Sequence, residues 1–243
     1  MNSKVAMLGI ASAENTYFSV VSDENDFVVI NKRPGINFHS EDGEYGVVVA
    51  AEKYFGRKLF SVHRLDKMTS GILLLAKSSV AASRLSELFK NQDIQKFYLA
   101  IADKKPKKTQ GLIKGGMEKS RRSMWKLTRN NENVAITQFF SFALDEGKRL
   151  FVVKPKTGKT HQIRVALKSI GSAICGDPIY ATEDSHRYDR GYLHAFQIQF
   201  IYQEKTFNFL AEPSLGDLFH LEACQLKLAE LKDCSTLKWP KIG

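Results

Sequence analysis

The feature that most limits what this chain can fold into is an apolar run over residues 72–76, Ile-Leu-Leu-Leu-Ala, which follows a Thr-Ser-Gly turn signal. A short run bounded by turn residues predicts a buried strand. Just before it come Arg64 and Asp66, and in an extended segment these two side chains project to the same side. Alone, such a pair is more often a structural ion pair than an active site. Beside a buried strand, however, it is also how a catalytic acid is mounted on a rigid scaffold.

The bulk composition is that of a soluble globular protein. The 243 residues suffice for one large domain or two small ones, and 43% hydrophobic with 26% charged residues is ordinary. No apolar run approaches the ~20 residues that span a bilayer, and we see no secretory signal at the N-terminus. Three cysteines without C-x-x-C spacing predict reduced thiols in a cytoplasmic protein; they are Cys175, Cys224 and Cys234.

The positive charge is concentrated in one segment. The chain has a net charge of +10, and residues 104–129 hold ten Lys or Arg residues against one acidic residue. Such a run is usually a solvated face. Met124 and Trp125 lie within it, however, and basic residues interleaved with aromatic ones suit a nucleic-acid surface. Because cations that neutralise phosphates release condensed counterions, we expect this segment, including Arg121 and Arg122, to contact RNA.

Periodicity and turn signals predict one mixed α+β domain over 17–243 after a short extension over 1–16. Strands are predicted at 18–21, 27–30, 97–102, 135–143, 150–154 and 196–200, and helices at 47–55, 78–90, 160–168 and 216–233. On the third helix, Thr160 is the predicted N-cap and Arg164 lies on the face opposite an apolar stripe. The alternation of the last strand, at 196–200, predicts that it is half-buried.

Three segments, taken in order, carry a resemblance to a known family. They are His63-Arg64-Leu65-Asp66, Lys96-Phe97-Tyr98 and Gly158-Lys159-Thr160-His161-Gln162-Ile163-Arg164, with shorter matches at 32–35, 176–180 and 193–195. Each is a weak signal alone. Together, over about residues 20–212, they resemble the RluA family of RNA pseudouridine synthases. The chain is similar to the compact branch, because about sixteen leading residues are too few for the S4-type RNA-binding domain that many members carry.

The resemblance implies the pseudouridine synthase catalytic fold, in which a mixed, largely antiparallel sheet with flanking helices holds a central catalytic cleft. It implies an isomerase that breaks the N1–C1′ bond of specific uridines in rRNA or tRNA, rotates the uracil and rejoins it through C5. Nothing is oxidised, hydrolysed or transferred to another molecule, so the reaction requires no cofactor and no metal. The expected partner is RNA, and the expected state is a monomer.

The resemblance also implies roles for individual residues. Asp66 matches the essential aspartate, and Arg164 matches the arginine placed against it, which would keep a buried carboxylate ionised. Tyr98 matches the pocket tyrosine, which stacks on the uracil and assists proton removal from C5. Arg64 matches the residue that fills the space left by the flipped-out nucleotide; the alternative is a structural ion pair with Asp66. The predicted RNA-binding residues are Arg64, Lys96, Lys159, Arg121 and Arg122.

Two histidines lie within these motifs. His63 and His161 are predicted to be structural, because a metal site would need further Cys or His residues at ligand spacing. Gly158 and Thr160 are predicted to form a turn and a cap that aim Arg164.

Two other functions stay open at this point. An RNA-binding or RNA-folding module with a vestigial site would keep the basic segment but would not need Asp66, Tyr98 and Arg164 together. A carboxylate-based hydrolase of nucleosides or glycosides would need a second acid. The sequence also leaves open which RNA and which uridine are modified, and whether Asp66 attacks the sugar or the base.

Overall fold

The computed structural model of the chain describes residues 15–41, 43–121, 123–181 and 185–242. Arg122 and residues 1–14 of the predicted extension lie outside the described residues. In the part that is described, no helix has the length and apolar character needed to cross a bilayer.

Eleven strands and four helices make up the regular structure of the described residues. The strands are β1 (Phe18–Asp23), β2 (Phe27–Lys32), β3 (Phe60–Ser61), β4 (Ser70–Ala76), β5 (Gln95–Ala102), β6 (Gln110–Lys119), β7 (Trp125–Thr128), β8 (Val134–Ala143), β9 (Arg149–Pro155), β10 (Leu193–Tyr202) and β11 (Lys205–Leu210). The helices are α1 (Val47–Phe55), α2 (Ser79–Lys90), α3 (Gln162–Ser169) and α4 (Glu222–Glu230).

All of these strands belong to one sheet. Its order is β1-β2-β4-β10-β5-β9-β8-β6-β7, with β3 also beside β4 and β11 also beside β10. Every pairing is antiparallel except that of β4 with β10. The prediction of an α+β fold with a largely antiparallel sheet and flanking helices is therefore confirmed.

Strand β4 is the apolar run singled out from the sequence, and all seven of its residues are buried. It pairs with β2 on one edge and with β10 on the other. Helix α2 packs against it through Ala81 and Leu85, and the Ser78 side chain caps this helix by accepting from the N–H of Ala81. The segment that carries Asp66 thus leads directly into the middle of the core.

The start of α3 differs from the prediction. Thr160 is not the cap; His161 occupies that position with a positive φ of 57° and no side-chain capping bond. Arg164 is buried, as are all residues from 162 to 167. Strands β7, β8 and β9 all contact this short helix.

Two further predictions need correction near the C-terminus. The helix predicted over 216–233 is only α4, preceded by a separate 3-10 turn whose Phe219 is fully buried against Tyr192. Strand β10 is buried on both faces rather than one. The side chain of Gln197 is covered because it bonds to Asp233 and to the N–H of Cys234, both in the C-terminal segment.

The basic segment contains an antiparallel hairpin of β6 and β7, here called the basic hairpin, at one end of the sheet. Its Met124 and Trp125 are only partly buried, and they pack against a small apolar cluster that includes Val165 of α3 and Tyr180. The lysines of its strands, Lys114, Lys119 and Lys126, are exposed. The two residues that suggested a nucleic-acid surface therefore attach the hairpin to the body of the protein.

Gly71 should be intolerant of any side chain. It has a φ of +106°, and an added Cβ would collide with the backbone of Ala195 across the β4–β10 pairing. Gly56 is the matched control, because it too has a positive φ, +62°, but has open space around it. In denaturant unfolding we expect Gly56→Ala to lose about 1–2 kcal/mol and Gly71→Ala to lose roughly 1–3 kcal/mol more from overpacking. Equal losses would contradict the close packing of β10 on β4.

Candidate active site

Asp66 lies in the irregular segment between β3 and β4. A buried lysine forms hydrogen bonds to the backbone of this segment. The Lys32 ammonium is fully buried and donates to the carbonyl oxygens of Arg33 (2.9 Å), Lys67 (3.2 Å) and Thr69 (2.8 Å). The N–H of Thr69 in turn bonds to the Asp66 carbonyl. These bonds fix the backbone on which the predicted catalytic carboxylate is mounted.

The centre of the site is a guanidinium held between two carboxylates. Arg164 Nη1 donates to Asp66 Oδ2 at 3.0 Å. Its Nε and Nη2 form a two-pronged pair with Asp177, at 2.7 and 2.8 Å. Asp177 is fully buried and also accepts from the N–H groups of Ile179 (2.9 Å) and Tyr180 (3.0 Å). The predicted pairing of Arg164 with Asp66 is present in the structure, with Asp177 as a second anchor.

The charge on Arg164 is secured by these neighbours. Burial acts to lower the pKa of its guanidinium, but the hydrogen bonds and charges of Asp177 and Asp66 outweigh burial and raise the pKa above its ordinary value. Asp177 is the residue whose role the sequence analysis missed, although its Gly-Asp-Pro-Ile-Tyr context was noted.

Tyr98 stands on β5, between Val153 of β9 and Ala195 of β10. It is half-buried, and it lines the same cavity as Asp66. Burial, with a smaller contribution from the charge of Asp66, raises the pKa of its phenol well above the ordinary value. The hydroxyl therefore stays protonated at neutral pH, which suits a flat stacking surface better than a phenolate base.

The loop before α3 is held by Gln162, another residue that the sequence analysis did not single out. Its Oε1 accepts from the Thr157 hydroxyl (2.7 Å) and from the N–H of Lys159 (3.0 Å). Its Nε2 donates to the Ile136 carbonyl and the Thr137 hydroxyl of β8, both at 3.0 Å. The buried amide of Gln162 thereby attaches the loop to the sheet. The sequence analysis had predicted that Gly158 and Thr160 would position this loop.

The cleft extends on both sides of Asp66. A small cavity of about 150 Å³ is bordered by Tyr98, Lys96 and Ile163. A larger one of about 830 Å³ is bordered by Phe38 and Arg190, among others. The residues common to both are Arg64, Leu65, Asp66, His161 and Arg164. The small cavity is below the ~300–1,000 Å³ of common small-molecule pockets, so it suits a single base rather than a larger ligand.

The structure brings some of the predicted RNA-binding residues together. Lys96 and Lys159 line the small cavity, and the exposed Arg64 borders both cavities. Arg121 is exposed but borders neither cavity, and Arg122 is outside the described residues. Among the described residues, Asp66 forms ion pairs with Arg164 and, at 3.9 Å, with His161, but not with Arg64.

The two histidines differ in role. His63 is structural as predicted, because its Nε2 accepts from the N–H of Leu74 at 3.0 Å and its ring stacks on Phe89. Burial lowers its pKa to about 3, so it is neutral. His161 instead faces the cleft beside Asp66. No group of three or more His, Cys, Asp or Glu residues in the described ranges has the arrangement of a metal site.

Comparison with known proteins agrees with this geometry. A family model described as RNA pseudouridylate synthase matches residues 26–169. A Haemophilus influenzae RNA pseudouridine synthase is 45% identical over 201 residues, which cover 82% of this chain and 89% of the relative. A Rickettsia bellii protein named ribosomal large subunit pseudouridine synthase C is 36% identical over 202 residues, 79% of this chain and 66% of that protein.

The fold has a counterpart among solved structures. Human RNA Pseudouridylate Synthase Domain Containing 1 superimposes with a TM-score of 0.73 at 21% identity, covering 90% of this chain and 96% of the human one. The chain therefore belongs to the RNA pseudouridylate synthase family. Within it the chain is of the RluA type, as predicted, and it is an RNA pseudouridine synthase, an isomerase.

Replacing Arg164 by lysine should destabilise the protein, because an ammonium cannot bond to both carboxylates through a planar fork. We expect Arg164→Lys to lower the free energy of unfolding by about 3–5 kcal/mol, the cost of breaking a buried pair. Arg57→Lys is the control, since Arg57 is exposed and makes one long bond to the Lys77 carbonyl. It should stay within ~0.5 kcal/mol of wild type. A similar small loss for both variants in urea unfolding would contradict the anchoring role of Arg164.

Proposed function

We propose that this enzyme isomerises specific uridines of ribosomal or transfer RNA to pseudouridine, with Asp66 as the essential carboxylate and with the target nucleotide flipped out of its helix. The observation that carries the proposal is the Asp66–Arg164 pair at 3.0 Å, at the junction of a base-sized cavity and a wider cleft. The wider cleft offers room for the backbone of the flipped nucleotide, and the small cavity offers room for its uracil.

Asp66 has the environment that a nucleophilic carboxylate needs. It is partly exposed, with 23% of its side chain accessible, so an incoming nucleotide can reach it. Both of its ion-pair contacts among the described residues, with Arg164 and His161, fall on Oδ2. The other oxygen remains for the substrate. Attack at C1′ of the sugar and attack at C6 of the base both begin from this carboxylate, and neither requires a metal or a cofactor.

The target uridine must leave the stacked helix before Asp66 can reach it, at a cost of a few kcal/mol. We propose that Tyr98 stacks on the extruded uracil and that the exposed Arg64 enters the vacated space, where it also contacts phosphate. The raised pKa of Tyr98 supports stacking by a neutral phenol. Proton removal from C5 would then fall to another group or to a water.

Four rim lysines form the proposed track for the RNA backbone. Lys96 and Lys159 line the small cavity, and Lys154 and Lys156 flank Pro155, which also lines it. No carboxylate of the described residues forms a salt bridge with any of them. The charge of Lys156 lowers the pKa of Lys96 and of Lys154, in both cases after burial as the larger cause. Unpaired cations that repel one another favour a polyanion, which here is the phosphate chain.

Ribosomal RNA is the first substrate pool to examine, because the Rickettsia relative is named for the large ribosomal subunit. We further propose that the enzyme acts as a monomer in the cytoplasm. The three cysteines, all buried and free, are compatible with a reducing compartment.

A hydrolase is disfavoured because Asp66 is the one acidic residue bordering the small cavity in the described part of the chain.

The direct test is tritium release from RNA labelled at uridine C5, prepared from cells that lack the enzyme. Rejoining the base through C5 expels that hydrogen, so release reports the reaction itself. We expect release from rRNA or tRNA with wild type, and a loss of at least about 10⁴-fold with Asp66→Asn, as for removal of an essential nucleophile. Binding without release by the wild type would favour a module with a vestigial site, and release by Asp66→Asn would remove Asp66 from its role.

The pH dependence of RNA binding should report on Lys96. Burial and Lys156 lower the pKa of Lys96 to about 8, so the side chain is charged at pH 7 and mostly neutral at pH 9. Affinity for a single-stranded RNA should fall as pH rises through this range, by up to about tenfold for this one charge. The RNA affinity of Lys96→Arg should change less between pH 7 and pH 9, because arginine does not titrate in this range.

Lys205→Arg is the matched control, since Lys205 lies on β11 and pairs with Glu24 at 3.9 Å. It should keep the wild-type pH dependence. Anisotropy titrations at pH 7 and pH 9, at constant ionic strength, supply the measurement. The same pH dependence in Lys96→Arg as in wild type would show that Lys96 does not contact the RNA.

A further inference from the structure

A chain of polar contacts connects the basic hairpin to Asp66. The backbone N–H of Trp125, the first residue of β7, bonds to the Tyr180 hydroxyl at 2.8 Å. That hydroxyl lies 3.0 Å from His161 Nδ1. The other ring nitrogen of His161, Nε2, lies 3.9 Å from Asp66 Oδ2, the oxygen that Arg164 also contacts.

The direction of each bond follows from what each group can donate. A backbone N–H only donates, so the Tyr180 oxygen is the acceptor from Trp125. Burial raises the pKa of the Tyr180 phenol, so its O–H remains available as a donor, and His161 Nδ1 lies 3.0 Å from it. When Tyr180 donates to Nδ1, that nitrogen is an acceptor and carries no hydrogen. In a neutral imidazole the proton must consequently sit on Nε2, the nitrogen that faces Asp66.

The surroundings of His161 favour the neutral ring. Burial and the adjacent Arg164 lower its pKa, with a further small push from Arg64, and they outweigh the opposing charges of Asp66 and Asp177. The backbone of His161 is also in the left-handed region, at a φ of 57°. A non-glycine residue adopts that conformation at a cost, so the surrounding structure must hold it there. Gln162, next in the chain, supplies that hold through its four bonds.

We propose that His161 is a positioning residue, held by Tyr180 as the Nε2–H tautomer, whose N–H is aimed at Asp66 and joins Arg164 in orienting the carboxylate when RNA seats the basic hairpin. This inference rests on the proposed role of Asp66. The 3.9 Å distance between His161 Nε2 and Asp66 Oδ2 is about 1 Å longer than a hydrogen bond. The hairpin contacts Tyr180 through its own backbone, which links the position of β7 to those of Tyr180 and His161.

The tautomer can be read without any activity measurement. In the ¹⁵N-histidine-labelled full chain, long-range ¹H–¹⁵N spectra distinguish a protonated Nε2 from a protonated Nδ1, and His161→Gln assigns the signal. We expect the Nε2–H form in wild type and a mixture of tautomers in Tyr180→Phe, which lacks the hydroxyl. Trp125→Phe is the matched control, because it keeps the backbone N–H; it should keep the wild-type tautomer. An Nδ1–H form in wild type would overturn the proposal.

The effect on catalysis is tested with two replacements of His161. The amide of Gln presents an N–H close to the position of Nε2, whereas Leu presents none. With folding checked by unfolding midpoints, we expect His161→Leu to lower kcat about 10- to 100-fold with little change in KM, as for loss of one hydrogen bond to a charged group. His161→Gln should recover most of the loss, and equal kcat values for wild type and His161→Leu would overturn the proposal.

Failure of this inference is separable from failure of the proposed function. If Asp66→Asn remains active, the role of Asp66 is wrong, whatever tautomer His161 adopts. If Asp66→Asn is inactive while His161→Leu is fully active, Asp66 stands and the positioning role of His161 fails. If His161→Leu does not fold, Tyr180→Phe tests the proposal instead. We expect this variant to have a lower kcat together with the mixture of tautomers. A wild-type kcat in Tyr180→Phe would overturn the proposal.

Discussion

The structure of the site depends on one buried guanidinium that is shared unequally between two carboxylates. Asp177 receives two bonds from Arg164 and two from backbone N–H groups, whereas Asp66 receives one bond from Arg164. The three groups together carry one net negative charge. Because Asp177 is saturated with donors and fully buried, the uncompensated part of that charge lies on Asp66, at the open end of the site. Asp177 thus offsets the cost of burying the cation and leaves Asp66 partly exposed.

This arrangement requires long-range folding, since its partners are far apart in the chain. Asp66 and Arg164 are separated by 98 positions in the sequence, and different contacts hold each of them in place. Strand β4 and the buried ammonium of Lys32 fix the segment of Asp66, while Gln162 fixes the loop from which α3 and Arg164 begin. The sheet order β4-β10-β5-β9 then sets Tyr98 between them. The parallel pairing of β4 with β10 begins at Ser70 and His194, next to Thr69 and Leu193 of the small cavity.

Local signals in the sequence predicted the elements that local physics determines. Helix α1 ends at Gly56 in the left-handed conformation and α2 begins at the Ser78 cap, and both boundaries agree with the sequence analysis. The anchoring roles of Asp177 and Gln162 were not predictable, because their partners come from distant segments and no spacing rule connects them. The start of α3 was predicted wrongly for a related reason: Thr160 is a good intrinsic cap, but the bonds of Gln162 set the backbone there.

The distribution of charge also explains how an acidic centre can serve a polyanionic substrate. A phosphodiester is repelled by Asp66 and attracted to the lysines at the rim and to the basic hairpin, whereas a uracil is uncharged. For the proposed reaction, this separation favours one orientation of the nucleotide, with the base towards Asp66 and Tyr98 and the phosphates outside. Salt weakens the attraction at the exposed rim more than the buried Asp177–Arg164 pair, because screening acts mainly on solvent-exposed charges. In the proposed complex, different charges therefore govern RNA capture and the integrity of the site, and the two sets meet where the hairpin contacts Tyr180 and His161.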